Sequence, residues 1–373
     1  MKHQKHAKLI KPAGGQYGRL ELAILGAPCG EIKRLVGQVL EQLPTKHVAY
    51  LDAEHHASPS EGFNALDHGA ISQMTNKISH YSIDLEKESS YYFNEADLVL
   101  INGNHFKGEK QIVWVHPKKS LEHKLAKLSN VGMVIIEDDS EIPEYLKNHL
   151  SEQNYTTTNS NNLTDIVAHI EALLTAHTPK LNGLVLVGGK STRMQQDKSQ
   201  IIIRDSKPQF EYLSNLLSQY CHEVFVSVRD KNQMAEYQIP AITDKFVGLG
   251  PYGGILSALQ YDPNAAWLVV AVDLPFLDDT AIQNLVDKRN LSKMATCYID
   301  RKSEFPEPLI TIWEPRSYPV LLNFLSKGYS CPRKALINSD VEILQERDEK
   351  ILTNVNDQAE LAKVKSILNQ DGQ

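Results

Sequence analysis

A glycine turn followed by basic residues interrupts the chain just past its midpoint. An apolar run ends at Val187 and is followed directly by Gly188 and Gly189, and then by a polar stretch that contains Arg193 and Lys198. Successive backbone N–H groups in such a turn form a concavity that suits phosphate, and the two cations add mobile positive charge. Glycine pairs alone mark ordinary turns, so the whole run, rather than its glycines, predicts a phosphate-binding loop.

A second candidate is Asp273, which lies within the apolar run 267–277. We expect this run to be a buried strand, at whose end a carboxylate is costly unless it is solvated, hydrogen-bonded or bound to a cation. Magnesium takes one or two carboxylates together with substrate phosphates and water, so Asp273 is the predicted metal ligand. The alternative is that it only caps the turn before Pro275. Asp278 and Asp279 are expected to begin the next helix.

The order of these motifs resembles the molybdenum cofactor guanylyltransferases, within the wider group of nucleotidyltransferases that activate sugars and cofactors with a nucleoside triphosphate. The family pattern Gly-Gly-x-Ser-x-Arg-Met-Gly-x-Asp-Lys matches the chain up to Lys198, with Gln195 in place of one glycine. The family's Asp-x-Pro matches Asp273, and the resemblance extends over residues 181–373. The loop residues that it assigns to nucleotide binding are Val187, Gly188, Gly189, Ser191 and Thr192.

A third segment resembles the part of the family that lies along the nucleotide base and ribose. Asp244 precedes a stretch that matches Gly-Pro-Leu-x-Gly-Ile, with Tyr252 in place of leucine. The resemblance implies that Asp244, Gly250 and Gly254 bind the nucleotide, Asp244 through paired N–H donors of guanine. Glycine density before the helical run 255–259 also indicates a loop that a ligand can approach closely.

A fourth segment, Asn354 to Leu361, resembles the family sequence Asn-x-Asn-Thr-Pro-Glu-Glu-Leu. Extended backbone places Asn354 and Asn356 on one side, where their amides could bind phosphate or metal-bound water. The alternative is a capping role at the helix 358–368, and we expect Asp357 to have that role.

The resemblance implies transfer of a guanylyl group from GTP to the terminal phosphate of molybdopterin, with release of pyrophosphate. Such reactions need charge neutralisation and positioning more than covalent catalysis. Arg193, Lys198 and Asp273 with its magnesium would be the catalytic groups. Related cytidylyltransferases carry Ala-Ala-Gly where this chain has Val187-Gly188-Gly189, which favours guanine. Two alternatives stay open: cytidylyl or other nucleotidyl transfer to this cofactor or to a sugar phosphate, and a non-catalytic adapter that binds the cofactor.

The elements that must position these residues alternate between strand and helix. In the first half we expect strands at residues 20–25, 47–51, 97–101, 112–115 and 131–136, a helix over 32–43, a loop over 151–162, and a helix over 163–174 capped by Thr164. The expected fold is α/β: two Rossmann-like three-layer domains with mainly parallel sheets, over residues 1–178 and 179–373, the first P-loop-like and the second nucleotidyltransferase-like.

The first half places a glycine turn, residues 26–30, between a strand and a helix, which is the context of a P-loop. The last three positions of the P-loop pattern instead hold Glu31, Ile32 and Lys33, so a structural turn is favoured over a phosphate site. Residues 18–175 resemble the adapter of guanine-dinucleotide biosynthesis, with Asn102 in place of a carboxylate. The resemblance implies a degenerate domain that docks molybdoenzymes or their chaperones. The adjacent His55 and His56 would face opposite sides of a strand and share no ion.

Composition excludes several classes of function. The 373 residues carry a net charge of −7, with no basic block beyond the short start 1–11. A nucleic-acid binder normally needs a concentrated basic face, so this composition argues against nucleic-acid binding. The four cysteines form no Cys-x-x-Cys pair, which is typical of a reducing cytoplasm. The most apolar run is too short to span a bilayer, so we expect a cytoplasmic protein without a membrane partner.

Overall fold

The computed structural model describes residues 17–53, 69–75, 77–83, 93–138, 140–187, 198–203, 207–345, 348–355 and 357–371. The chain separates into two compact units, Met1–Thr178 and Pro179–Gln373. In the part of the chain that is described, no helix is long and apolar enough to cross a membrane.

The first unit is built on an eight-stranded sheet of order β4-β3-β2-β5-β1-β6-β7-β8. Its strands are β1 (Leu20–Leu25), β2 (Val48–Asp52), β3 (Gly69–Thr75), β4 (Lys77–Ile83), β5 (Leu98–Asn102), β6 (Lys110–Val115), β7 (Val131–Ile136) and β8 (Thr156–Asn159). From β2 to β8 all neighbours pair in parallel, whereas β3 and β4 add an antiparallel hairpin at one edge. The expected mainly parallel sheet is confirmed.

Helices cover both faces of this sheet. They are α1 (Cys29–Gln42), α2 (Glu144–His149) and α3 (Leu163–Ala176). Alternating residues of β1 enter different cores, because Leu22 and Ile24 pack with α1 and α3 whereas Leu25 packs with α2. Side chains of a strand point alternately to its two faces, so the unit has the three-layer α/β architecture.

Three features of this unit differ from the sequence predictions. The hairpin β3–β4 was not predicted, and β8 lies in the stretch 151–162 that was expected to be a loop. Both are polar edge elements with weak hydrophobic alternation, which is the main strand signal in sequence. The cap of α3 is Asn162, whose side chain accepts a hydrogen bond from the N–H of Asp165 at 3.2 Å. Thr164, the predicted cap, lies inside the helix.

The second unit contains a seven-stranded sheet of order β11-β10-β9-β12-β14-β13-β15. Its strands are β9 (Leu181–Leu186), β10 (Val224–Val228), β11 (Ala241–Thr243), β12 (Ala266–Ala271), β13 (Ala295–Asp300), β14 (Phe305–Trp313) and β15 (Val341–Gln345). Neighbours are parallel except where β14 runs antiparallel between β12 and β13. The α/β class with a mainly parallel sheet is therefore confirmed here also.

Helices again cover both faces of the second sheet. They are α4 (Gln209–Leu217), α5 (Pro251–Tyr261), α6 (Asp279–Asp287), α7 (Ser317–Ser326), α8 (Pro332–Ile337) and α9 (Gln358–Asp371). Val185 of β9 packs on the face covered by α4 and α6, whereas its neighbour Leu184 packs on the face covered by α5, α7 and α8. Both side chains are fully buried, so β9 lies inside a double-sided core.

Three elements of this unit have bounds that differ from those predicted. The last helix, α9, continues to Asp371 instead of ending at residue 368. β12 ends at Ala271 rather than continuing through residue 277, because the chain turns after Val272 and Leu274 N–H donates back to the carbonyl of Ala271. α5 begins at Pro251 instead of residue 255, since proline is well suited to the first helical position.

Candidate functional site

Three of the predicted site residues emerge at one edge of the second sheet. Val187 follows β9, Asp244 follows β11 and Asp273 comes two residues after β12. These strands and the intervening β10 are parallel, so their carboxyl ends lie along the same edge. Ligands bind outside the carboxyl ends of the strands in open α/β sheets.

Asp273 is half-buried in the turn that follows β12. Just before Asp273 the chain is still hydrogen-bonded to the end of β9, because the N–H of Val272 donates to the carbonyl oxygen of Leu186 at 3.4 Å. Just after it, the side chain of Gln209 donates to the carbonyl oxygen of Leu274 at 3.2 Å. The backbone carrying Asp273 is therefore fixed from both directions.

The C-terminal segment contacts the same turn. The N–H of Val355 donates to the carbonyl oxygen of Asp273 at 2.9 Å, and Asn354, next to it, is exposed. Val355 is buried against Ile201 and residues of α9. The predicted residue Asn354 therefore lies beside Asp273 in the fold, although the two are far apart in the chain.

The helix after this segment is capped as expected. The side chain of Asp357 accepts a hydrogen bond from the N–H of Glu360 at 2.9 Å, and its carbonyl oxygen accepts one from Leu361. Asp278 likewise caps α6, where its side chain accepts from the N–H of Ala281 at 2.8 Å. Both predictions are confirmed.

Glu307 is a carboxylate near Asp273 to which the sequence reasoning gave no role. It lies in β14, whose antiparallel direction places its start at the edge where the parallel strands end. The side chain is buried and is held by the guanidinium of Arg333 at 2.8 Å and the N–H of Leu309 at 3.2 Å. Burial raises the pKa of Glu307, Arg333 acts against that shift, and the charge of Asp273 adds to it. The signal in sequence was a glutamate inside an apolar strand, the same argument that selected Asp273.

Asp244 accepts a hydrogen bond from the hydroxyl of Ser227 at 2.6 Å, and its own N–H donates to the carbonyl oxygen of Val228 at 2.8 Å. Burial raises the pKa of Asp244, while the bond from Ser227 and the charge of Arg229 act in the opposite direction. A half-buried carboxylate at the end of a strand is an acceptor suited to paired N–H donors.

The glycines after Asp244 allow helix α5 to lie close to the sheet. A methyl group on Gly254 would lie 2.7 Å from the hydroxyl oxygen of Ser227 and 2.9 Å from Leu186, and one on Gly253 would overlap the carbonyl oxygen of Phe246. Gly250 has open space around it but a φ of +59°, which favours glycine. The structure therefore gives Gly254 a packing role and Gly250 a conformational one.

Lys198 begins a short 3-10 helix, Lys198–Gln200. For Lys198 itself the structure describes the backbone and not the side chain. Ser199, next to it, is fully buried and its hydroxyl lies 3.0 Å from that of Tyr237. Ile201 accepts a hydrogen bond from the N–H of Gln209 at 3.0 Å and packs with Val355. The same hydrophobic cluster thus holds the backbone after Lys198 and the segment that contacts Asp273.

Six predicted site residues lie outside the described residues: Gly188, Gly189, Ser191, Thr192, Arg193 and Asn356.

Comparison with protein families gives a match to the MobA-like NTP transferase domain over residues 183–342. This stretch lies within the second unit and contains both Asp244 and Asp273. The second unit of this chain therefore carries a nucleotidyltransferase domain of this kind.

Curated relatives agree with that assignment. The chain is 33% identical over 183 residues to the molybdenum cofactor biosynthesis bifunctional protein of Synechocystis, an alignment that covers 48% of this chain and 52% of that protein. It is 29% identical to a probable molybdenum cofactor guanylyltransferase of Methanothermobacter thermautotrophicus, covering 39% of this chain and 76% of that one. The chain thus spans about half the length of the first of these relatives.

Among solved structures, the chain is similar to molybdopterin-guanine dinucleotide biosynthesis protein A from Archaeoglobus fulgidus. The sequences are 21% identical, the TM-score is 0.44, and the alignment covers 51% of this chain and 99% of the other.

Proposed function

We propose that this protein transfers a guanylyl group from GTP to the terminal phosphate of molybdopterin, in a magnesium-dependent reaction that releases pyrophosphate. Two observations carry the proposal. Asp244 and Asp273 lie along one edge of the sheet within the stretch that matches the transferase domain, and the segment that contains Asn354 contacts the turn of Asp273. The names of the relatives, molybdenum cofactor guanylyltransferases, supply the nucleotide and the acceptor.

Asp273 fits a ligand of a magnesium ion that is shared with substrate, and Glu307 is a second carboxylate nearby. They are close enough for the charge of Asp273 to raise the pKa of Glu307. In the described part of the chain, no group of three or more His, Cys, Asp or Glu side chains could hold a metal. One or two protein carboxylates completed by phosphates and water is the usual magnesium arrangement. We assign Asp273 as the protein ligand of the magnesium ion. Glu307 lies nearby but is turned towards Arg333. A bound magnesium ion would neutralise phosphate charge.

The remaining chemistry is positioning and charge neutralisation by the chain itself. Asp244 would accept N–H groups of the guanine base, and Gly254 would support this contact indirectly by letting α5 pack against Ser227, which donates to Asp244. The loop from Val187 through Thr192 would donate backbone N–H groups to the phosphates, and Arg193 and Lys198 would neutralise the leaving pyrophosphate. Asn354 and Asn356 would bind phosphate or metal-bound water. The acceptor phosphate attacks the α-phosphorus, so no nucleophilic side chain is required.

For the first unit we infer a docking role towards molybdoenzymes or their chaperones. The support is the order of motifs in residues 18–175, which resembles a P-loop adapter, and a parallel α/β sheet of the kind that such domains contain. The role is separate from catalysis, since the transferase match begins at residue 183.

The proposal is tested by incubating the full chain with labelled GTP, magnesium and molybdopterin and separating the products by chromatography. The wild type should form a guanine dinucleotide and pyrophosphate in equal amounts. Lys198→Ala should lower the rate by about 100-fold or more, since a lost group that stabilises transition-state charge costs that order of magnitude. Lys207→Ala is the matched control, because Lys207 is exposed and, among the described residues, forms an ion pair with Glu211 at 3.5 Å. Near-normal turnover of Lys198→Ala would remove the assigned role.

A further inference from the structure

A thiol, an imidazole and a carboxylate lie together at the carboxyl ends of three neighbouring strands of the first unit. The sulfur of Cys29 lies 3.3 Å from Nε2 of His105, and this nitrogen lies 4.0 Å from Oδ1 of Asp52. Cys29 follows β1, Asp52 ends β2 and His105 follows β5, and these strands pair in parallel. A nucleophile within reach of a base, with a third group beside that base, is the usual arrangement of an activated nucleophile. We call Cys29, His105 and Asp52 the thiol cluster.

The carboxylate of the thiol cluster is fixed by its own hydrogen bonds. The hydroxyl of Tyr50 and the side-chain amide of Asn102 each donate to Asp52 at 2.8 Å, and so does the N–H of Ala53. Asn102 is fully buried. The negative charge of Asp52 is thereby held beside His105, where it would stabilise the positive charge that the imidazole gains with a proton.

Asn102 is the residue at which the chain departs from the adapter family that residues 18–175 resemble, since that family has a carboxylate at this position. An ionised carboxylate has no hydrogen to donate and would repel Asp52. The amide of Asn102 donates to Asp52 instead. The departure therefore supports the thiol cluster.

Cys29 differs in its surroundings from two of the other cysteines. It is half-buried, so part of its surface contacts solvent. Burial raises the pKa of Cys221 and of Cys297 to about 12, which keeps both of these thiols protonated near neutral pH. Because the thiolate is the nucleophilic form of cysteine, these two are expected to be unreactive. Exposed Cys331 in the second unit offers a reference thiol.

Two lysines bring positive charge to the same place. The ammonium of Lys124 lies 3.5 Å from Oδ1 of Asn104, and that of Lys127 lies 3.3 Å from the carbonyl oxygen of the same residue. The side-chain amide of Asn104 lies 3.9 Å from the sulfur of Cys29. Burial and neighbouring ammonium groups lower the pKa of Lys124, whereas a thiolate at Cys29 acts in the opposite direction. A reagent that approaches the sulfur therefore meets positive charge, which attracts anions.

We propose that Cys29 is a site of reversible covalent modification, at which its thiol forms a mixed disulfide with an anionic disulfide of low molecular weight. Nε2 of His105 takes the thiol proton as the sulfur attacks one sulfur of the reagent. The sulfur–sulfur bond of the reagent breaks, a bond forms between the attacked sulfur and Cys29, and the leaving thiolate takes the proton from His105. One thiol and one disulfide thus give one mixed disulfide and one free thiol, and the reagent itself is the oxidant.

This site goes beyond the proposed function. The transfer of a guanylyl group requires no nucleophilic side chain, and the thiol cluster lies outside the transferase match at residues 183–342. The modification would place a bulky, charged group on the first unit, beside the turn that follows β1.

The experiment compares two disulfides of opposite charge on the full chain, glutathione disulfide, which is anionic, and cystamine, which is cationic. Mass spectrometry of the peptides measures the rate of mixed-disulfide formation at Cys29 and at Cys331, at about pH 7 and constant ionic strength. With glutathione disulfide, Cys29 should react about tenfold faster than Cys331, because an unassisted thiol is only about 3% ionised at that pH. The preference for glutathione disulfide over cystamine should be at least about tenfold larger at Cys29 than at Cys331.

Variants separate the base from the surrounding charge. His105→Gln should slow the reaction of Cys29 with both reagents by about tenfold at pH 7. At about pH 9.5 it should react like the wild type, since a thiol then loses its proton to the solvent; a purely structural role of His105 would not be rescued in this way. Combining Lys124→Gln with Lys127→Gln should slow the reaction with glutathione disulfide and spare that with cystamine. The control Lys46→Gln changes an exposed lysine of the first unit and should change neither rate.

An unchanged rate at Cys29 in His105→Gln at pH 7, or the same rates and the same reagent preference at Cys29 as at Cys331, would overturn the proposal. The readout requires no transferase activity, so its result is independent of the proposed reaction.

Discussion

The backbone N–H of Val355 donates a hydrogen bond to the carbonyl oxygen of Asp273 at 2.9 Å. This bond joins the segment before the last helix to the turn after β12. It brings together in the fold two separate sequence motifs, one with Asp273 and one with Asn354. The account of function depends on this convergence.

The first prediction concerns the carboxylate of Asp273. Asp273→Asn removes the charge with little change of shape, so magnesium-dependent binding of GTP should weaken and transfer should slow by about 100-fold. Calorimetric titration of GTP with and without magnesium measures the first effect, and product formation the second. The control is Asp278→Asn, since asparagine caps a helix about as well as aspartate. Unchanged magnesium dependence in Asp273→Asn would remove the metal from this position.

The second prediction concerns the pH dependence of stability through Glu307. Burial raises the folded-state pKa of Glu307 above its ordinary value of 4.5, so the folded state binds the proton more tightly than the unfolded state. Its stabilising contribution is complete below the unfolded pKa and is lost as pH rises through the folded pKa. In urea unfolding, the wild type should lose stability relative to Glu307→Gln as pH rises from about 4 to 7.

Asp300 provides a control of opposite sign. Burial raises its pKa, but hydrogen bonds from Ser303 and from the backbone of Lys302 outweigh this, and the net pKa is lowered. Its contribution is present above the ordinary value and is lost as pH falls through the folded pKa. Asp300→Asn should therefore differ from the wild type mainly at the higher pH values. A stability difference for Glu307→Gln that is constant with pH would contradict the assigned shift.

The third prediction concerns the close approach of α5 to the sheet. Gly254→Ala places a methyl group 2.7 Å from the hydroxyl oxygen of Ser227, and such overpacking costs about 1–3 kcal/mol of unfolding free energy. Because Ser227 also donates to Asp244 at 2.6 Å, GTP should bind more weakly as well. Gly37→Ala, in the interior of α1 with no atom within 4 Å of the added methyl, should instead stabilise the protein by about 0.5–1 kcal/mol. Scanning calorimetry measures both, and wild-type stability for Gly254→Ala would argue against the contact.

The central parts of both sheets could be predicted from sequence. Strands such as β1 and β12 are short apolar runs, buried on both faces as parallel strands are. The polar edges were missed: β8, with the sequence Thr-Thr-Thr-Asn, has little apolar surface to bury, and its strand conformation depends on pairing with β7. Pairing between distant segments leaves no local signal.

The residues of the candidate site were predicted by two routes. Asp273 stands out because it lies in an apolar run, whereas Asp244 was assigned from the resemblance to the guanylyltransferases. Glu307 carries the same signal as Asp273, a carboxylate in an apolar strand, but the partner that holds it, Arg333, comes from another segment of the chain. The contact between these two side chains follows only from the folded structure.

The measurement that tests the central claim most directly compares GTP, CTP, ATP and UTP as donors to molybdopterin, with magnesium, in the full chain. The account predicts that GTP gives the dinucleotide and pyrophosphate at a rate at least about tenfold above the others. The reason is that paired N–H donors of guanine would meet the acceptor Asp244, and discrimination by a hydrogen-bonding site is at least of that order. A rate with CTP equal to or above that with GTP, or no dinucleotide from any of the four, would contradict it.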